Sequence, residues 1–180
     1  MVILGTTLSA IDAYGEFFPY RYLVEEYPSW IEIVVSLPVF SLIQDTVFYW
    51  SHRLLHHRLI YKHVHKIHHK YQTTIGIAAV YAHPVEFVLG NVAPLAIGPR
   101  LLRCHLVTLW VFIFVGVYET CEQHSGYDFP CNPVQLNPFS TRPPYHDFHH
   151  SNNVGNYAGT YIYWDFFCGT NGAYIKHLND

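Results

Sequence analysis

Two five-residue stretches of this chain share the pattern His-x-x-His-His: HKIHH at residues 65–69 and HDFHH at residues 146–150. His52 and His56 add a third spacing, His-x-x-x-His. On an α-helix, positions i, i+3 and i+4 share a face. Each block, if helical, therefore offers a row of imidazoles to one partner region. An isolated histidine is usually an ordinary surface or core residue. Eight in three same-face clusters would repel as cations, and would be costly if buried without partners. A metal removes both problems, because neutral imidazole is the commonest metal ligand. Eight nitrogens are too many for one tetrahedral zinc site; two metals with four or five nitrogens each fit better. Iron, copper, zinc and nickel all accept imidazole, so ligand type alone does not choose among them. There is no Glu-x-x-His pair of the soluble carboxylate-bridged di-iron kind and no His-Glu-x-x-His of a zinc hydrolase. A metal pair held almost wholly by histidine under an apolar roof suggests oxygen chemistry on a lipid.

The elements that must position these rows are apolar. Hydrophobic residues make up 51% of the 180 residues and charged residues only 13%, against about 25% in a typical soluble domain. Residues 30–50 form an apolar run with only Glu32 and Asp45 charged, and with Pro38 as a kink. Residues 104–118 form a second apolar helix candidate, shorter than the roughly 20 residues of a spanning helix. The block at 51–70 carries Arg53, Arg58, Lys62, Lys66 and Lys70 with no acid, which reads as cytosolic under the positive-inside rule. Pro143 and Pro144 favour a helix starting near Tyr145. Net charge is −3, which gives no reason to expect nucleic acid as a partner. The N-terminus lacks the basic region of a signal peptide. Cys104, Cys121, Cys131 and Cys168 form no metal-knuckle spacing and read as free thiols.

FYWSHRLLHHRLIYKHVHKIHH, AVYAHPVE, HSGYDFP and YHDFHHSNNVGNYAGTYIYWDFFCGT, in order from about Gln44 to Thr170, resemble the membrane fatty acid hydroxylase/sterol desaturase superfamily. Within it, HSGYD, LNPF and GNYA…WD…GT are most similar to the C-4 methylsterol oxidase branch. The resemblance implies an all-α, multi-pass integral protein of the endoplasmic-reticulum membrane whose cytosolic histidine-rich cap holds two iron ions. It implies O2 as co-substrate, electrons from NAD(P)H through a reductase and cytochrome b5, and stepwise oxidation of a sterol C-4 methyl group. Carried over by position, the metal ligands are His52, His56, His65, His68, His69, His146, His149 and His150. His124 of HSGYD is the candidate ninth ligand, and His83 of AHP a tenth. The branch usually reads His-His-Asp before the last pair; Tyr145 replaces the first of these and is not expected to be a ligand. Relatives usually begin with a further hydrophobic region, so the chain is expected to be short against the family. The expected organisation is one domain over 1–180, with an N-terminal segment at 1–43 and the histidine-box region at 44–170.

Other residues carry two readings. His57 and His63 lie off the same-face rows and read as supporting or surface groups; His105 and His177 read as structural. Asp147 either orients an imidazole through its second nitrogen or is a solvated carboxylate, and Asp45, Glu86 and Asp128 are further candidates to orient ligands. The aromatic tail at 157–167 reads as packing or membrane-interface residues. The rival functions are another hydroxylase or desaturase of the superfamily (sterol side chain, sphingoid base or fatty acid), a metal-binding chain without turnover, and a zinc hydrolase.

Overall fold

A computed structural model describes residues 19–130, 132 and 137–180. The N-terminal stretch read above as a poor signal peptide, Cys131 and Leu136 of LNPF lie outside the described residues. Among the described residues every regular element is helical, as the apolar runs and histidine rows predict. Two isolated bridges, Arg21 with His105 and Ser140 with Tyr161, tie loops together.

Helix α1 spans Trp30–Leu55. Ser29 caps it, its hydroxyl accepting the Glu32 N–H at 3.1 Å, and this satisfies one of the free donors of the first turn. Its buried residues are Phe40, Asp45, Tyr49, His52 and Leu55, spaced as one helical stripe. Its other face carries exposed Trp30, Val34, Val35 and Leu42. After a turn Pro84–Glu86 and a π-turn Phe87–Val92, helix α2 spans Ala93–Leu101. Gly98 lets α2 close on α1: a Cβ there would sit 3.3 Å from the Phe40 Cα. Helix α3 spans Leu106–Gln123, capped by His105, whose Nδ1 accepts the Val107 N–H. Phe112 of α3 meets Phe40 edge-on at 5.3 Å, and Cys104 completes that small core. Helices α1 and α3 are long and apolar enough to cross a membrane. They turn large apolar side chains outward, Trp110 and Phe114 among them, as lipid contact permits and water does not favour.

Helix α4 spans Pro143–Asn152 and starts with its two prolines in the first turn, where their missing N–H costs nothing. It ends at Asn153, which is left-handed at φ 54° and whose N–H donates to the His149 carbonyl. Helices α5 (Tyr163–Cys168) and α6 (Gly172–Asn179) close the chain. One element differs from expectation. His65–Lys70 is a 3-10 helix, not an α-helix. It is a short piece between turns, without a side-chain cap, and such pieces commonly wind as 3-10.

Candidate metal centre

The histidines gather into two groups. His52, His56, His65, His69 and His149 form one; His68, His124, His146 and His150 form the other. In each group the candidate ligand nitrogens all lie within 4.8 Å of one another. The two boxes are shared reciprocally between the groups. The first and last histidines of each box, i and i+4, enter one group, and the i+3 histidine crosses to the other. His83 stands outside both groups; its Nδ1 accepts the Val85 N–H and caps the turn at Pro84. His57 and His63 are exposed.

The rings point Nε2 inward. Nε2–Nε2 separations are 3.1 Å for His52–His65, His65–His69 and His56–His149. In the second group they are 3.3 Å for His68–His124, 3.0 Å for His124–His146 and 3.2 Å for His146–His150. Two nitrogens bound at right angles, each roughly 2.1 Å from one metal, stand about 3.0 Å apart.

In four rings the proton lies on the outer nitrogen. Backbone carbonyls accept from Nδ1–H of His52 (Tyr157, 2.8 Å), His68 (Tyr81, 3.3 Å), His124 (Thr120, 2.8 Å) and His149 (Gly155, 2.6 Å). Glu86 Oε1 lies 2.6 Å from His65 Nδ1. A carbonyl can only accept, so His52, His68, His124 and His149 carry their proton on Nδ1. Burial lowers His68 to about 4. Burial first, then the His68 charge, lowers His69 and His124 to about 3. The rings are therefore neutral near pH 7, and the inward Nε2 atoms of His68 and His124 are two bare lone pairs facing each other. No hydrogen bond can join them. A cation between them is what this donor set suits, and imidazole suits iron.

A second layer holds the ligands, and most of it was not legible beforehand. The GNYA loop supplies two of the carbonyl acceptors, Gly155 for His149 and Tyr157 for His52. Gly155 has φ 60°, and a Cβ there would run into the Thr170 carbonyl. Asp165 of α5 is fully buried and fixes the loop: it accepts the N–H of Tyr157 at 3.0 Å and of Ala158 at 2.8 Å. It also accepts the Tyr145 hydroxyl at 2.9 Å and the Thr170 hydroxyl at 2.5 Å. Tyr145 thus anchors α4 to α5 from a position where relatives of the branch are expected to carry histidine. The sign available in the sequence was one acid inside YIYWDFF, within a tail read as packing. Of the acids singled out earlier, Glu86 touches a ring in the first group. Asp45 Oδ1 accepts the N–H of Thr160 and Tyr161, Asp147 accepts from Thr74, and Asp128 pairs with Arg142.

A cavity opens beside both groups. It spans about 720 Å³, part of it open to the outside, and its lining includes the apolar side chains of Phe48, Leu55 and Ala79. His52 and His65 of the first group, and His68, His124 and His146 of the second, reach its wall.

Among curated proteins the chain is 44% identical over 162 residues to methylsterol monooxygenase 1 of Rattus norvegicus, covering 89% of this chain and 55% of that protein. It is 41% identical over 165 residues to methylsterol monooxygenase 1 of Gallus gallus, with 91% and 55% covered. It is 42% identical over 152 residues to a very-long-chain aldehyde decarbonylase of Oryza sativa subsp. indica, with 83% and 56% covered. The chain thus spans about half the length of the curated relatives it matches. No solved structure matches. The sequence model of the fatty acid hydroxylase family matches residues 37–170. That span takes in every histidine of both groups, and the chain belongs to the fatty acid hydroxylase family.

Proposed function

We propose that this chain carries the di-iron region of a C-4 methylsterol monooxygenase. The observation that carries the reading is the pair of histidine groups whose neutral Nε2 atoms face one another beside a partly apolar cavity. The name shared by the rat and chicken relatives supports the substrate. His52, His56, His65, His69 and His149 would hold one iron and His68, His124, His146 and His150 the other. When bound, the iron pair supplies O2 activation for oxidation of an unactivated C–H bond, with electrons from NAD(P)H through cytochrome b5 and its reductase. The chain's own residues position and exclude. Backbone carbonyls keep the protons of His52, His68, His124 and His149 on Nδ1, leaving Nε2 free to bind. Phe48, Leu55 and Ala79 supply apolar lining for a lipid. No side chain is required as general acid or base at the reacting carbon.

In this reading α1 and α3 lie in the endoplasmic-reticulum membrane, and the histidine groups sit on its cytosolic side with the basic run at 53–70. The domain is taken as one unit over 1–180, with its histidine-box region at 44–170. A second reading follows from the rice relative, named for a very-long-chain aldehyde: the cavity would then take an extended acyl chain. Expression in cells lacking their own C-4 methyl oxidation decides between them. Loss of accumulated 4-methylsterols is expected. Unchanged 4-methylsterols with altered long-chain lipids would overturn the sterol assignment, and no lipid change despite full metal would indicate binding without turnover.

A further inference from the structure

The outer surface beside the first histidine group is basic. Residues 46–85 hold five of the chain's ten lysines and arginines and none of its thirteen aspartates and glutamates. Positive charge is thus gathered in one stretch of a chain that is acidic elsewhere. Arg58, Lys62 and Lys66 are exposed, and among the described residues no carboxylate pairs with them. Arg53 and Lys70, by contrast, lie over the rings of Trp50 and Tyr81, at 5.6 and 5.9 Å. Local geometry sets this face. The Tyr61 N–H donates to the His57 carbonyl at 2.9 Å and the Val64 N–H to the Ile60 carbonyl at 3.1 Å, so the segment winds in helical turns. Tyr61 turns inward, its ring 5.4 Å from that of His56, 5.8 Å from His69 and 6.1 Å from His65. Leu59 turns outward and is 66% exposed. One half-buried aromatic ring therefore separates this face from three of the five rings of the first group. His56 is itself only half-buried, whereas all four histidines of the second group are buried.

We propose that an acidic one-electron carrier protein docks on the face made by Arg58, Leu59, Lys62 and Lys66, and that its electrons enter the first histidine group there. The inference rests on the reading of the two groups as an iron pair. Inserting one oxygen atom turns C–H, O2, two electrons and two protons into C–OH and H2O. A reductant must supply those two electrons. A one-electron carrier docks twice per turnover and is oxidised by one electron each time. Repeated docking needs fast and weak association. Exposed, unpaired cations around a small apolar centre suit it: charge steers the encounter and a small contact releases quickly. Electron transfer falls steeply with distance, so the thinnest wall is the point of entry. Anionic lipid headgroups would also attract these cations, but they give no account of the thin aromatic wall beneath them.

The test begins with binding, measured on the iron-loaded full chain in neutral-lipid nanodiscs, with the carrier oxidised so that no electron moves. The probe is the soluble haem domain of cytochrome b5, and the control is a basic haem protein, cytochrome c. The acidic probe should bind and the basic one should not, with affinity falling as salt rises. Lys62→Glu and Lys66→Glu should each weaken binding about 10-fold at low salt, because each turns an attraction into a repulsion. Both should raise KM for the reduced carrier, with kcat, bound iron and reduction by dithionite unchanged. Arg103→Glu, at the opposite end of α3 from His124, should change none of these. Lys62→Gln and Lys66→Gln, at about 3-fold each, serve if a reversal misfolds. Wild-type binding and KM in both reversals, with dithionite still reducing the iron, overturns the docking face and leaves the di-iron reading intact. If the reversals keep the carrier but lose a stabilisation by anionic-lipid nanodiscs that the wild type shows, the face belongs to headgroups and the proposal falls. Carrier binding lost in the reversals, with reducible iron but no oxidised lipid, supports the face and overturns the monooxygenase reading. A chain that takes up no iron overturns both.

Discussion

His68 and His149 occupy the same place in their boxes, and each enters the group that its box neighbours do not. This crossing makes a sharper prediction than loss of activity. His68→Gln should lower bound metal from two per chain toward one, through the second group, and His149→Gln should do the same through the first. His57→Gln should keep both metals, because His57 is exposed and its Nδ1 accepts only the Leu59 N–H. Elemental analysis at matched expression checks all three; equal metal loss in the His57 variant would refute the assignment. His83→Ala should also retain metal, at a cost of about 1 kcal/mol from the lost helix cap.

The short elements around α4 do more positioning than the long helices. Asp165 accepts four hydrogen bonds and orders the loop whose carbonyls hold His52 and His149. Asp165→Asn replaces an acceptor oxygen with an N–H facing backbone N–H or a hydroxyl. Stability should fall by about 3 kcal/mol, read from the denaturant midpoint, and metal should be lost alongside. A change below about 1 kcal/mol would mean that the loop holds itself. Gly155→Ala should cost at least about 2 kcal/mol, because the left-handed backbone alone costs about 1–2 and the new methyl group meets the Thr170 carbonyl.

At the scale of the molecule, the buried histidines set a direction for pH dependence. His68 sits at about 4 and His69 at about 3 when folded, against about 6.5 unfolded. The unfolded chain therefore binds more protons below pH 6.5. The metal-free protein is at full stability from these groups above pH 6.5 and loses it as pH falls toward about 3–4. Each group contributes about 1.4 kcal/mol per pH unit in that window. Metal binding should follow the same sense, since protons compete for Nε2. Thermal unfolding of the metal-free chain from pH 7.5 to 5.5 should show a falling midpoint, and a rising one would refute burial of neutral rings. The proposed topology is checked by cysteine-accessibility labelling: segments 51–70 and 145–151 should label from the same, cytosolic side.

Residue type and local spacing were enough to pick out the three histidine boxes and to place α1, α3 and α4, because helix stripes and capping prolines are short-range effects; His124 was nominated only by the family resemblance. The resemblance carried by those same residues led to the family. Spacing could not decide how the rings divide. It predicts one shared face for each box, but the i+3 histidine crosses to the other group both in the 3-10 turn at 65–70 and in the α-helix α4. His56 meets His149 across 93 positions of chain, a pairing that no local period encodes. The carbonyl acceptors and the contacts of Asp165 also depend on which elements meet. Hydrogen bonding to a backbone carbonyl is independent of residue type, so only the packed chain reveals which carbonyls hold the rings.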